Sequence, residues 1–276
     1  PLRQTEHHFH NPHNNNARSE ELRGREYLSK AFSAGGVLLQ QVDTHWITMT
    51  NGTTTVAHAD QIVTTDYSGG ETVSRADYTY DTYGNVTQEY NQGNLALSGD
   101  ERTIQRQYRP NTTAWIVNAM TQESVYKGIH EGDPDYYVSD LKSRAWYRYD
   151  GQSGWNTPPR DKGELTAVDR WNGEVGWWGL GYVTTTYVYD HQWGNPTVVT
   201  DPNGNSTTMT YDTRYLYPVT VTNAKGQTSH TQYYGVNGIA ADHGLPGQVK
   251  RVTDPNGAET EYRYDTLGRL KHVLTP

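Results

Sequence analysis

The sequence predicts an all-β protein, an antiparallel meander of short hairpins that makes a curved strip. Three observations carry that expectation. The tetrapeptide Asp201-Pro202-Asn203-Gly204 recurs as Asp254-Pro255-Asn256-Gly257, and Asn223-Ala224-Lys225-Gly226 fills the same slot between them. Ten residues after each comes a tyrosine pair: Tyr211-Asp212, Tyr233-Tyr234 and Tyr264-Asp265, with Tyr189 to Tyr211 and Tyr211 to Tyr233 each spaced by 22. Between the turns, Glu259-Thr260-Glu261-Tyr262-Arg263-Tyr264 shows a period-2 pattern of residues that suit a pleated surface. Self-similarity at a fixed period of this size means an array of one small unit. Proline preset near φ −65° and a glycine free to take positive φ are turn chemistry, so each unit reads as two strands of about seven residues and two tight turns.

In chain order, residues 1–125 read as degenerate hairpins of the same kind. His7, His8, His10 and His13 crowd residues 1–26 and raise a metal hypothesis, but Glu6 is the one carboxylate nearby. A polar loop or irregular strand explains them better, because imidazole ligands need second-shell acceptors. Asn16 to Lys30 is the one helix candidate, weakened by Gly24 and the lack of an apolar stripe. Tyr27 to Trp46 predicts a hairpin turning at Gly35-Gly36, and residues 61–92 predict another with a Ser68-Gly69-Gly70 turn. Residues 126–186 break the period as a Trp- and Gly-rich β insertion, with a candidate strand at 164–171 and a glycine-rich turn at 172–181. Trp177, Trp178 and Tyr182 in that region could contact a sugar. The favoured reading is that such rings plug a seam between layers. Residues 187–276 are the regular repeats.

The last copy, Tyr264-Asp265-Thr266-Leu267-Gly268-Arg269-Leu270, resembles the tyrosine–aspartate repeat of Rhs-type proteins. That family includes bacterial polymorphic toxins, the B component of insecticidal toxin complexes and, more distantly, the teneurins. Tyr80-Asp81-Thr82-Tyr83-Gly84 is a second good match, and Phe32-Ser33-Ala34-Gly35-Gly36 a decayed one. Tyr189-Asp190 has its Gly194 one place late, and Tyr211-Asp212 is followed by Tyr215 with no glycine. The segment Gly99-Asp100-Glu101-Arg102-Thr103 through Tyr108 and Asn111 to Trp115-Ile116-Val117 resembles one that recurs in the same proteins. The repeat motif thus comprises Tyr80, Asp81, Gly84, Tyr189, Asp190, Asp201, Gly204, Tyr211, Asp212, Gly226, Asp254, Gly257, Tyr264, Asp265 and Gly268.

Composition limits the function. The 276 residues include 22 Tyr and 8 Trp against 2 Phe, and 33% are hydrophobic. Tyrosine supplies a ring that packs and a hydroxyl that needs a partner, which suits half-buried faces and argues against disorder. A net charge of −8 without a Lys/Arg cluster argues against nucleic acid. No apolar run approaches 18 residues, so no membrane-spanning helix is expected. With zero cysteines, disulfides, zinc thiolates and thiol catalysis are excluded. The chain begins at Pro1 and stops at Pro276, just past a complete repeat, and is expected to be part of something longer.

Catalytic signatures are missing from the sequence: no G-x-S-x-G, H-E-x-x-H or P-loop occurs, and Asp43/His45 and Asp242/His243 have no serine placed to complete a triad. Asp201, Asn203 and Asn205 lack the downstream glutamate of a calcium loop, and an Asx turn accounts for them. No enzyme, cofactor or metal is expected. One 22-residue hairpin cannot stand alone, so its partners are neighbouring repeats or further copies. A wide sheet curls or closes, and open edges are sticky. The family resemblance implies a large hollow β-shell, bacterial and secreted or at the cell surface, which encloses a polypeptide toxin cargo. An adhesion or glycan-binding module and a self-assembling β-fibre are the alternatives.

Overall fold

Glycine and asparagine turns spaced by strands of β-branched and aromatic residues leave the chain little choice but to run back and forth. A computed structural model describes residues 4–11, 20–131, 138–176, 179–190 and 192–276. Among these, eighteen strands form one open sheet. They are β1 (Gln4–Phe9), β2 (Glu26–Phe32), β3 (Leu38–Asn51), β4 (Thr54–Asp66), β5 (Thr72–Tyr80), β6 (Val86–Asn94), β7 (Arg102–Tyr108), β8 (Met120–Lys127) and β9 (Leu141–Tyr149). Then follow β10 (Leu165–Gly176), β11 (Gly179–Tyr189), β12 (Pro196–Thr200), β13 (Ser206–Tyr211), β14 (Pro218–Thr222), β15 (Thr228–Tyr233), β16 (Val249–Thr253), β17 (Glu259–Tyr264) and β18 (Leu270–Leu274). From β1 to β9 and from β11 to β18 each strand pairs antiparallel with the next.

Over its described residues, 20–30, the helix candidate does not form, and 16–19 lie outside the described residues. Glu20–Leu22 makes a single 3-10 turn and Glu26–Phe32 is a strand, because Gly24 takes φ +72° and the chain must pair with β1 and β3. The turn expected at 172–181 is largely strand, since β10 runs to Gly176 and β11 begins at Gly179. Strands of the regular repeats are five or six residues, shorter than expected, because each turn takes five residues or more of the period.

The chain divides into two compact units. The first comprises Pro1–Arg148, Gln152–Gly163 and Arg170–Tyr182; the second comprises Tyr149–Gly151, Glu164–Asp169 and Val183–Pro276. The first unit has a polar interior at β7–β9: Thr103, Thr121, Ser124 and Tyr126 are fully buried, with Gln122 and Arg144 nearly so. Such groups must be hydrogen-bonded to be tolerated. Arg144 donates to Ser124 Oγ at 3.0 Å and to the Tyr126 hydroxyl at 2.8 Å, and Trp146 Nε1 donates to Gln122 at 3.0 Å. Trp146 is itself sandwiched between Trp155 (5.2 Å) and Tyr182 (4.1 Å). Tyr182 therefore spends one ring face on packing, while Trp177 and Trp178 lie outside the described residues. In the second unit the buried groups among the described residues are Ala167, Val168, Asp169, Asp212, Tyr234 and Val236.

Candidate functional site

The recurring site is the hairpin turn, which is built by the same few bonds each time. In the turn at Asp201, its N–H donates to Asn205 O at 2.9 Å and Gly204 N–H donates back to Asp201 O at 3.0 Å. The carboxylate then caps the turn: Oδ1 accepts from Asn203 N–H at 2.9 Å and Asn205 N–H at 2.8 Å. Asp81, Asp254 and Asp265 repeat this pattern, and Asn223 reproduces it with an amide oxygen. Gly204 at φ +84° and Gly257 at φ +85° occupy the left-handed position that ends such a five-residue loop.

The two irregular copies keep the cap and change the loop. Asp190 N–H reaches one residue further, to Asn195 O, and its Oδ1 accepts from Trp193 N–H at 2.6 Å. Asp212 pairs with Tyr217 O, Tyr215 takes the glycine's place at φ +58°, and the carboxylate accepts from Arg214, Leu216 and Tyr217 N–H. Burial alone would raise the Asp212 carboxyl, but those three backbone donors outweigh it and hold it below the usual 3.8. Asp201 is held low by the Asn205 amide and backbone, and Asp265 by the Arg269 backbone and guanidinium.

The tyrosine before each aspartate does something different. The register shifts by one residue immediately before Tyr80, Tyr189, Tyr211, Tyr233 and Tyr264, whereas the turns at Asp201, Asn223 and Asp254 show no shift. A bulge re-aims the side chain at that point. Tyr211 then donates its hydroxyl to Pro196 O at 2.9 Å, and Pro196 is the residue paired with Tyr189. Tyr233 donates to Pro218 O at 3.0 Å, and Pro218 is paired with Tyr211. Tyr189 reaches Leu165 O at 2.9 Å, and Tyr80 reaches Ala59 O. Each phenol thus bonds the backbone of the preceding hairpin. Burial raises the phenols of Tyr80, Tyr189, Tyr211 and Tyr233 above the usual 10.0, which keeps them protonated as donors.

Tyr108 is a staple that the motif does not mark. It follows a bulge, donates to Val86 O at 3.2 Å, and is followed by Arg109 rather than aspartate. Its one signal was a place in the segment leading to Trp115. The loop 235–247 was equally unmarked. Buried Tyr234 fills the aspartate slot and donates to Tyr262 O at 2.9 Å, and the loop clasps the turns on either side. Asn237 Oδ1 accepts from Thr213, His243 O accepts from Tyr264 N–H at 2.8 Å, and Gln248 donates to Gly268 O at 2.7 Å.

The residues weighed for chemistry are placed apart. His7 bonds Glu26 at 3.1 Å and His10 stacks on Tyr27 at 4.8 Å, while His13 lies outside the described residues. No group of three His, Cys, Asp or Glu among the described residues is positioned to hold a metal. His45 bonds Asp60 and Asp43 bonds Gln41; Asp242 faces Lys250 at 3.8 Å. No helix among the described residues is long and apolar enough to cross a membrane.

An RHS Repeat family model matches residues 247–276. No curated protein sequence matches the chain. Among solved structures, the crystal structure of TcdB2-TccC3-Cdc42 is similar over 92% of this chain with a TM-score of 0.60 and 12% identity. TcdB2-TccC3 without its hypervariable C-terminal region gives 0.59 at 12% identity over 92%, and the Photorhabdus luminescens Tc holotoxin pore gives 0.59 at 12% over 91%. The chain spans 16% of the length of each. At this identity the likeness is one of fold: an open antiparallel strip, as one section of a β-shell would be.

Proposed function

We propose that this chain, an Rhs/YD-repeat protein resembling components of insecticidal toxin complexes, is a structural segment of a bacterial, secreted or cell-surface shell that encloses a polypeptide cargo. The observation that carries the reading is the recurring staple. Each capped turn is complete in itself, and Tyr80, Tyr189, Tyr211 and Tyr233 each tie their hairpin to the one before. In this role Tyr80, Asp81, Tyr189, Asp190, Tyr211, Asp212, Tyr264 and Asp265 hold a barrier together, and the segment performs no reaction of its own. Its partners are neighbouring repeats.

The test is protease protection in the intact parent protein. An enclosed polypeptide survives digestion until denaturant opens the wall. A cargo cut as fast as the free polypeptide overturns the proposal, as does electron microscopy showing fibres of the chain in place of closed particles.

A further inference from the structure

A cleft in the first unit crosses three hairpin tips, 51–54, 81–85 and 111–116, and encloses about 410 Å³, within the range of small-molecule sites. Trp115 forms one wall. It is 71% exposed and sits at φ +54°, a conformation that a bulky residue adopts only under constraint. The constraint is visible: Asn111 and Ile116 exchange both backbone hydrogen bonds, and Asn111 Oδ1 accepts from Thr113 and Ala114 N–H at 3.0 Å each. Strain of this kind, roughly 1–3 kcal/mol, gathers at working sites. Tyr83 meets the indole edge-on at 6.3 Å and 88°, so the two rings make a corner.

We propose that this cleft binds a neutral saccharide, one pyranose ring lying on Trp115. Met49, Val56 and Val117 make up the rest of the apolar wall, Asn51, Thr54, His58 and Thr82 supply polar groups, and no lining side chain is acidic or basic apart from the imidazole. Asn51 spends its amide N–H on Thr82 O at 2.9 Å, which positions its carbonyl oxygen as an acceptor. His58 packs on Tyr80 at 4.6 Å and crowds Gly84 so closely that a side chain there would strike it. The chemistry selects the ligand. A charged molecule finds no opposite charge, and a purely apolar one strands the hydroxyls, amide and imidazole without partners. A sugar ring offers both a C–H face for the indole and a rim of hydroxyls for the polar groups.

The experiment uses the full chain and immobilised neutral glycans ending in glucose, galactose, mannose or N-acetylglucosamine, with sialylated and sulfated counterparts and an apolar hexapeptide as competitors. At least one neutral glycan binds, with a Kd on the order of 0.1–1 mM. Trp115→Gly removes the platform while relieving the backbone, so the protein stays folded and binding falls tenfold or more; Trp193→Ala leaves it intact. The proposal is overturned if no neutral glycan binds at about 10 mM, if Trp115→Gly binds as the parent does, or if charged glycans or the peptide bind in preference.

Discussion

Replacing Tyr211 with phenylalanine deletes one oxygen and nothing else, which makes it the sharpest probe of the staple. The hydroxyl donates to Pro196 O at 2.9 Å. A net hydrogen bond contributes about 1 kcal/mol, and a half-buried carbonyl left without its donor adds to the loss. Tyr211→Phe should therefore destabilise the second unit by about 1–2 kcal/mol. Tyr189→Phe should match it, while Tyr233→Phe falls at the lower end because Pro218 is exposed. If the three sites act independently, the triple variant loses about 3–4 kcal/mol. Tyr264 supplies the control. It follows the same bulge, but its hydroxyl donates to no protein group among the described residues, and its ring meets Tyr234 edge-on at 6.3 Å. Tyr264→Phe should stay within about 0.5 kcal/mol. Arrays of repeats need not unfold in one step, so urea midpoints should be read with amide exchange in β12–β16. A triple variant as stable as the parent, or a Tyr264→Phe loss equal to that of Tyr211→Phe, would rule the staple out.

Asp212→Ala strips three backbone N–H groups of their acceptor at a side chain only 3% exposed, and should cost about 1–3 kcal/mol. Asp212→Asn should recover most of that, as Asn223 does in its own turn, and urea melts check both. Asp265→Ala should also lower stability, and an unchanged midpoint would count against the cap. Gly257→Ala meets no atom and should show only the left-handed penalty, about 1–2 kcal/mol. Gly247→Ala, at φ +88° and against the hydroxyl of Tyr217, whose ring packs at a tilt on Tyr233, should lose clearly more. Stability against pH should be a plateau with two shoulders. The depressed Asp201, Asp212 and Asp265 stabilise the fold above 3.8, and that contribution is lost as pH falls through their folded values. The raised tyrosines stabilise it below 10.0, and that is lost as pH rises through theirs. A midpoint that climbs above pH 10 sinks the tyrosine half.

The capped turns were legible because their chemistry is local: Asp201 finds both of its N–H partners within four residues, so the tetrapeptide announces the structure. The alternation of strands and turns was legible for the same reason. The staple was not. Its donor is a tyrosine, but its acceptor is a main-chain carbonyl, which carries no sequence signature at all, and so Tyr108 passed unmarked. The loop 235–247 was hidden likewise, since Tyr234 in an aspartate slot reads as decay and acts as a buried plug. The helical pattern after Asn16 misled in the opposite direction, since strand pairing overrode it, and Gly24, at φ +72°, was the residue that spoke against it.

A phenol that bonds a backbone oxygen does not ask which side chain its neighbour carries. Pro196, Pro218, Leu165 and Ala59 all serve as acceptors in this one chain. Hairpins joined in this way are interchangeable, and a coding sequence could gain, lose or shuffle whole units without any compensating substitution at the seams. Divergence can then run freely along the strip while its gauge stays constant.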